Sequence, residues 1–313
     1  MYYLQTAYSI AFTLWEICTK MAQVWRFGYG SNIGLQNLEK KGLNPTRCVA
    51  GTISGFELYW KQAFSPFVEP AWAGIRTHPK GEDGELHGTA FLIPEEEAEK
   101  LDVQERGYNV QPSKFTSYDG EVIEGVGLYV NKSGSQGGEE GIPSLRYLRL
   151  MQRGAKEAGL SEEWIQRLDS TPYYVTPLKV REKTMGWIKE FEEDPARKDE
   201  MWKSEELSKY NGSDEACPVH ISVMGYIVKA NPVQRSFPSW RGHDITRRNL
   251  LQFNAKSLDK NDIRYDQQGF RPLPKMHCCS DEEKEFLFQN LDSLLHSGGT
   301  IAARLKDFTD DQE

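Results

Sequence analysis

The chain has 313 residues, of which 38% are hydrophobic and 12% are aromatic, so it can form one large domain or two ordinary domains with a substantial core. Its formal charge of −8 at pH 7 argues against a surface that binds nucleic acid or anionic membranes. Its five cysteines are an odd number without regular spacing, which predicts reduced thiols and a cytoplasmic protein. They are Cys18, Cys48, Cys217, Cys278 and Cys279.

The first 22 residues form a separate segment in the sequence. Residues 6–18, TAYSIAFTLWEIC, are apolar but few, contain Glu16 and follow no basic stretch. These flanks do not match a secretory signal peptide, and the apolar run is too short to span a membrane. We expect residues 1–22 to be an N-terminal extension, either an extra helix packed on the domain or a leader ahead of Met21.

From residue 23 to about residue 130 the sequence is mostly strand-like. An apolar pair, Val24 and Trp25, precedes a glycine-rich loop. A helix is predicted to begin at Pro94, which three acids follow, and to stop before Gly107. Strands are predicted where β-branched and aromatic residues are bounded by Gly, Pro or Asp, at residues 49–59, 71–76, 86–93 and 122–131.

Two helices are predicted to close this region, at residues 143–158 and 161–168, after a flexible surface loop at residues 133–141. Ser161, with two acids behind it, is a suitable helix N-terminus. Strands with few helices, closed by a helical end, predict an α+β fold. We expect a small mixed β-barrel with flanking helices over residues 23–180.

The remaining residues, 181–313, have a different character and predict a C-terminal α+β extension of unknown role. Hydrophobic residues recur at helical spacing in residues 182–193, and residues 220–230, HISVMGYIVKA, read as a strand. Helices are predicted at residues 244–253 and 280–296. In the second of these, Ser280 and Glu283 form a capping box.

The loop at residues 27–32, FGYGSN, is the most informative stretch of the chain. Glycine permits a positive φ and a close approach of the backbone, so ligand groups can lie against main-chain N–H donors. A loop between a strand and the N-terminus of a helix favours an anion or an oxyanion. An ordinary strand-to-helix turn would have the same residues, so both interpretations remain open at this point.

The same loop resembles the binding loop of the γ-glutamylcyclotransferase family, which carries Y-G-S-N. Residues 38–56, LEKKGLNPTRCVAGTISGF, look like the first helix and second strand of that family. Residues 88–108 resemble its next strand and helix, which ends in an L-D-x-x-E segment. Residues 142–160, IPSLRYLRLMQRGAKEAGL, are similar to its late I-P-S-x-x-Y and G-A-K-E-x-G-L segment. The resemblance covers residues 24–177 approximately, and the C-terminal region is unrecognised.

The resemblance implies an enzyme that needs no cofactor and no metal. A γ-glutamyl amide carries its own nucleophile, the α-amine, and its own electrophile, the γ-carbonyl, so ring closure forms 5-oxoproline and releases the other amine. The family correspondence makes Glu105, the last acid of LDVQE, the general acid/base. It implies six substrate-binding residues, which are Tyr29, Gly30, Ser31, Asn32, Tyr108 and Tyr147.

Several of these residues have other interpretations. Glu105, judged without the resemblance, is an exposed acid at a helix end, as most glutamates are. The tyrosines could contact the α-carboxylate or amine of a substrate, or could cap the core with a wet hydroxyl. Arg106 follows directly, and its charge is predicted to neutralise Glu105. Asn32 argues against the glutathione-specific branch of the family, which prefers Y-G-S-L.

Other kinds of site have weaker support. Cys217-x-x-His220 with His277-Cys278-Cys279 can be read as a zinc site, but three adjacent ligands suit one tetrahedral ion poorly. The chain has no P-loop, dinucleotide-binding, serine-hydrolase or zincin motif. A local basic cluster is predicted to be a solvated face rather than an anion site. It comprises Arg235, Arg241, Arg247 and Arg248.

Two functions of different classes therefore remain. The first is a γ-glutamylcyclotransferase-like enzyme for γ-glutamyl amino acids or amines, and a γ-glutamylamine-type or antibiotic-pathway enzyme would share its loop and base. The second is a non-catalytic module that binds a small molecule or a protein with the same pocket, and it would not need the acid at Glu105. The expected partner is a small γ-glutamyl compound, with no nucleic acid and no membrane. A homodimer is one candidate assembly.

Overall fold

The computed structural model describes residues 22–65, 68–132, 139–213, 217–231, 238–254, 276, 278–306 and 308. Its contacts divide the chain into two compact units, residues 1–63 with 71–173 and residues 64–70 with 174–313. The boundary predicted from the sequence was residue 180. The predictions for residues 1–21, residues 133–138, Arg235 and His277 lie outside the described residues.

Five strands of the first unit close into a barrel with the order β1-β5-β2-β6-β7. Neighbouring strands are antiparallel except β1 and β7, which run parallel and close the barrel where Phe27 lies beside Leu128. This architecture confirms the predicted small mixed barrel. The strands are β1 (Gln23–Gly28), β2 (Arg47–Ser54), β5 (Glu85–Pro94), β6 (Tyr108–Ser117) and β7 (Val122–Asn131).

The barrel interior is a packed apolar core. The rings of Phe27 and Phe115 lie 5.8 Å apart, and Leu86, Phe91 and Leu128 are completely buried. Each such side chain contributes about 1.5–3 kcal/mol relative to leaving it exposed. Because side chains fill the interior, a binding site of this barrel has to lie where the strands end.

A separate two-stranded ribbon consists of β3 (Phe56–Ser65) and β4 (Glu69–Thr77). The single strand predicted at residues 49–59 is wrong, because Gly55 has a φ of 87° and turns the chain from β2 into β3. Residues with side chains rarely adopt that φ. The strands predicted at residues 71–76 and 86–93 lie within β4 and β5 and are confirmed.

The strand β6 is not predicted from the sequence. Most side chains of this strand are exposed or half-buried, and Pro112 lies within it. A strand without a regular apolar face and with an internal proline gives no strand signal in the sequence. The strand exists because it pairs with β7 over nearly its whole length and with β2 at its end.

The described part of the first unit has four helices, α1 (Leu35–Lys40), α2 (Glu95–Gln104), α3 (Leu145–Ala158) and α4 (Glu162–Asp169). Three glutamates occupy the first turn of α2, as predicted. The Oγ of Ser144 accepts a hydrogen bond from the N–H of Tyr147 at 3.1 Å, and the Oγ of Ser161 accepts one from Trp164 at 3.3 Å. These N-caps begin α3 and α4, and both predicted helices are confirmed.

The second unit is an α+β structure with a four-stranded sheet of order β8-β11-β10-β9. Its buried core includes Phe191, Ile227, Leu287, Leu291 and Ala303. The helices and strands are α5 (Leu178–Glu193), β8 (Met201–Trp202), α6 (Ser204–Leu207), β9 (His220–Val223), β10 (Tyr226–Lys229), α7 (Thr246–Phe253), α8 (Asp281–His296) and β11 (Thr300–Leu305).

Three predictions for the second unit have clear outcomes. The predicted strand at residues 220–230 is a hairpin, because Met224 and Gly225 adopt φ values of 53° and 76° between β9 and β10. The capping box of Ser280 and Glu283 at the start of α8 is confirmed. The solvated-face prediction is wrong for Arg247, whose side chain is buried on α7.

No helix among the described residues is long and apolar enough to span a bilayer.

Candidate active site

A small cavity of about 40 Å³ lies where β1 ends. That volume is well below the roughly 300–1,000 Å³ of typical small-molecule sites. All seven residues that the resemblance singled out line it, although they come from separate parts of the first unit. They are Tyr29, Gly30, Ser31, Asn32, Glu105, Tyr108 and Tyr147, with Phe27, Gly28, Ala73 and Tyr129 completing the wall.

Glycine is required in the loop because there is no room for a side chain, and not because the backbone adopts a positive φ. Gly28 and Gly30 do not have a positive φ. A Cβ on Gly28 would lie 2.2 Å from the carbonyl oxygen of Asn32, and real Cβ atoms essentially never come that close. Gly34 at the start of α1 likewise approaches Gly154 of α3, where an added Cβ would lie 2.8 Å from the Cα of Gly154. The loop is therefore packed tightly against its own chain and against α3.

The main-chain amides of the loop are available to a ligand. The carbonyl of Gly30 accepts from the N–H of Ile33 at 3.2 Å, and the carbonyl of Ser31 accepts from Asn37 Nδ2 at 2.7 Å. Within the described part of the chain, the N–H groups of Gly30, Ser31 and Asn32 donate to no protein acceptor. Three successive uncommitted donors at a cavity are suited to an oxyanion.

Glu105 lies directly after the last residue of α2, and its Oε1 atom has two partners. Lys41 Nζ donates to it at 3.0 Å and Asn32 Nδ2 donates to it at 3.2 Å. The side chains of Lys41 and Glu105 are 23% and 21% exposed. Its second oxygen, Oε2, accepts no hydrogen bond from any described residue. One oxygen is thus held by the protein, and the other is open to a ligand.

The prediction that Arg106 neutralises Glu105 is wrong, since the cation beside Glu105 is Lys41. Arg106 is exposed, and no ion pair joins it to the adjacent Glu105. The helix ends at Gln104, and successive side chains there point in different directions. Lys41 was missed because, although it lies in the segment 38–56 that resembles the family, the resemblance assigns it no role.

A second network holds α2 against the barrel. Asp102 accepts from Arg26 Nη2 at 2.8 Å and from Arg26 Nε at 3.2 Å, and it accepts from the hydroxyl of Tyr129 at 2.6 Å. Burial raises the pKa of Asp102, but the hydrogen bonds from Arg26 and Tyr129 outweigh it and hold that pKa below its usual value. The sequence placed Asp102 in the L-D-x-x-E segment but assigned it no role.

The three predicted tyrosines have different environments. Tyr29 is buried and donates its hydroxyl hydrogen to the carbonyl of Tyr129 at 2.8 Å, so it braces the barrel as well as lining the cavity. Burial, followed by the nearby charge of Glu105, raises the pKa of Tyr108 to about 12. The hydroxyl of Tyr147 accepts from the N–H of Ala73 at 3.4 Å. Tyr108 therefore presents a neutral hydroxyl at the cavity, and Tyr147 lines the same cavity.

The zinc candidates do not meet in the described part of the chain, where no group of three or more His, Cys, Asp or Glu residues could hold a metal ion. The Sγ of Cys217 donates to the carbonyl of Lys209 at 3.1 Å. His220 is buried, and its ring packs on Tyr210 at 4.7 Å. These contacts are those of structural residues.

Two curated proteins are similar to this chain, and both are named gamma-glutamyl cyclotransferase gliK. The one from Claviceps purpurea (strain 20.1) is 27% identical over 145 residues, which cover 44% of this chain and 64% of that protein. The one from Aspergillus fumigatus is 24% identical over 187 residues, which cover 53% of this chain and 68% of that protein. The matches thus span about two thirds of these relatives. No family model matches the chain.

A solved structure of a gamma-glutamyl cyclotransferase is 22% identical and has a TM-score of 0.42, over 54% of this chain and 99% of that one. The names of the curated relatives agree with the motifs, so the resemblance to γ-glutamylcyclotransferases is confirmed over about half of the chain. The relatives support an enzyme of that family. The C-terminal region is not covered.

Proposed function

We propose that the first unit is a γ-glutamylcyclotransferase-like enzyme, which converts γ-glutamyl amino acids or amines to 5-oxoproline and a free amine. The observation that carries the proposal is the cavity at the end of β1. It combines the carboxylate of Glu105 with the uncommitted amides of Gly30, Ser31 and Asn32. A carboxylate and main-chain donors that line one cavity are groups that intramolecular aminolysis can use.

The reaction forms one bond and breaks one bond within a single substrate. The α-amine attacks the γ-carbonyl carbon, a five-membered lactam closes, and the bond from that carbon to the leaving nitrogen breaks. The enzyme has to fold the substrate so that the amine and the carbonyl meet. Orientation of this kind can remove several kcal/mol of a barrier, up to about 7–11 kcal/mol in the best intramolecular cases.

In this proposal Glu105 moves the proton. Its Oε2 atom, which has no partner among the described residues, takes a proton from the α-ammonium of the substrate and later returns it to the leaving nitrogen. The second proton that the ring nitrogen loses as the lactam forms goes to the same leaving nitrogen, so the amine departs as an ammonium. The Oδ1 atom of Asn32 is buried and has no hydrogen-bond partner. A substrate N–H group beside Glu105 would satisfy that acceptor, since a buried polar atom without a partner is costly.

The loop amides would stabilise the oxygen of the tetrahedral intermediate. The γ-carbonyl oxygen becomes negative when the amine attacks, and donors already oriented toward it cost no reorganisation. Removal of one such donor typically lowers kcat by about 10²–10³-fold. Tyr108 and Tyr147 would contribute hydroxyl groups to the same cavity.

The test is turnover of a small panel of γ-glutamyl dipeptides, γ-glutamyl-lysine and glutathione, measured as release of 5-oxoproline. Glu105→Gln should abolish release, because the amide accepts no proton at neutral pH. Glu99→Gln is the matched control, since Glu99 is an exposed glutamate on the same helix. Full activity of Glu105→Gln would remove Glu105 from the acid/base role.

A second candidate function is a binding module without catalysis. The observation that favours it is the ion pair with Lys41, which already satisfies the charge of Glu105 as a structural contact would. Calorimetric binding of γ-glutamyl dipeptides without release of 5-oxoproline, in wild-type protein that is folded, would favour this function. Release that depends on Glu105 would exclude it.

A further inference from the structure

The cavity has an anion but no cation in its lining. Of the described residues that line it, Glu105 is the one carboxylate, and none is a lysine or arginine. Arg26 is committed to Asp102 by two hydrogen bonds. Lys41 does not line the cavity but contacts Glu105, which does.

We propose that Lys41 and Glu105 together recognise the zwitterionic α-amino-acid end of the substrate, with Lys41 binding the α-carboxylate and Glu105 binding the α-ammonium. The inference rests on the proposed function, because it names the part of a γ-glutamyl compound that the site selects. It assigns a specificity-determining role to Lys41, to which the resemblance assigns none.

Charge complementarity carries the argument. An α-amino acid presents an ammonium and a carboxylate on one carbon, and the Lys41–Glu105 pair presents the opposite charges 3.0 Å apart. In the protein alone the two side chains neutralise each other. When the zwitterion binds, each charge of the pair gains a partner of opposite sign, so no charge at the edge of the cavity is left uncompensated.

The geometry of Lys41 permits this exchange. Within the described residues its ammonium has Glu105 as its single partner, so two of its three N–H donors remain for a carboxylate. Its side chain is 23% exposed and has a flexible four-carbon stem. Glu105 has its Oε2 atom open to the ammonium. Lys41 neither takes nor gives a proton in the reaction.

The test compares two compounds that differ only in the α-carboxylate, γ-glutamyl-alanine and 4-aminobutanoyl-alanine. Both have the same amine and the same carbonyl, and the second would close to 2-pyrrolidone. In Lys41→Gln we expect kcat/KM for γ-glutamyl-alanine to fall about 10- to 100-fold, mainly through KM, and to change less than about threefold for 4-aminobutanoyl-alanine. Lys41→Arg should restore most of the loss.

Lys100→Gln is the matched control, because Lys100 forms an exposed ion pair with Glu96 on α2 at 2.8 Å. Lys100→Gln should leave kcat/KM unchanged for both compounds. An equal loss of kcat/KM for the two compounds in Lys41→Gln would overturn the assignment, since Lys41 would then act only by holding Glu105 in place. That result would leave the cyclotransferase function standing.

Calorimetric binding of the same two compounds separates the two proposals if the wild type turns over neither. Tighter binding of γ-glutamyl-alanine that is lost in Lys41→Gln would support zwitterion recognition, and if no compound of the panel released 5-oxoproline, the cyclotransferase function would be removed. Equal affinity for the two compounds, or binding of neither, would overturn zwitterion recognition as well.

Discussion

Replacement of Asp102 by Asn tests how the acid of the cavity is held in place. Asp102 lies on α2 three positions before Glu105, and its carboxylate joins that helix to Arg26 on β1 and Tyr129 on β7. Asparagine has nearly the same shape but carries no charge and has one acceptor oxygen. The variant therefore leaves the guanidinium of Arg26, whose side chain is 15% exposed, without its anion.

We expect the variant to lose about 2 kcal/mol of unfolding free energy. Hydrogen bonds to a charged group contribute about 1.5–3 kcal/mol each, and asparagine retains one acceptor. The Asp102 side chain is 33% exposed, so solvent screens part of the interaction. The control Asp169→Asn removes an ion pair with Lys156 whose side chains are 55% and 44% exposed. The Asp169→Asn variant should lose less than about 1 kcal/mol of unfolding free energy.

The assay is amide hydrogen exchange of β1 and β7 in the full chain. A chain of two units need not unfold in one step, so a single midpoint would not isolate the first unit. A loss of about 2 kcal/mol corresponds to exchange about 30-fold faster in Asp102→Asn. An increase no larger than that of Asp169→Asn would refute the argument that this network holds α2 to the barrel.

The pH dependence gives a second test of the same network. The pKa of Asp102 is below its usual value in the folded protein, so the stability that it contributes is present above about pH 4 and is lost as pH falls through the folded-state pKa. Wild type and Asp102→Asn should differ fully at pH 6 and converge toward pH 3. A difference that stays constant over that range would contradict an electrostatic origin.

Two further substitutions test the loop and the barrel surface. Gly28→Ala should lower both 5-oxoproline release and first-unit stability, because the new Cβ would meet main-chain atoms of the loop. The control Gly107→Ala should be neutral, since its new Cβ meets nothing within 4 Å. Equal effects in the two variants would contradict this explanation. Burial lowers the pKa of His87, whose ring stacks on Trp164 at 4.7 Å. As the pH falls below about 6.5, the unfolded chain therefore takes up a proton at His87 before the folded protein does. First-unit stability, followed by hydrogen exchange, should therefore decrease from pH 7 to pH 5, and an unchanged slope in His87→Gln would disprove this cause.

Much of the local structure was predictable because its signals are local. Ser161 and the Ser280–Glu283 pair mark helix starts through contacts that span three residues. The strand at residues 122–131 is visible from its composition. By contrast, β6 has few buried side chains, and its strand conformation depends on partners from β2 and β7. Gly55 divides one apolar run into two strands through a φ that the sequence does not specify.

The same distinction applies to the cavity. The resemblance named seven of its residues, five of them in Y-G-S-N and L-D-x-x-E, which are short runs in which each letter can be matched in place. Tyr108 and Tyr147 come from the matched segments 88–108 and 142–160. Lys41 meets Glu105 across 64 positions, and Arg26 meets Asp102 across 76 positions. No local pattern relates residues that far apart. Sequence by itself thus determined which acid and which loop to examine, and only the packing of α1 and α2 on the barrel decided which cation accompanies that acid.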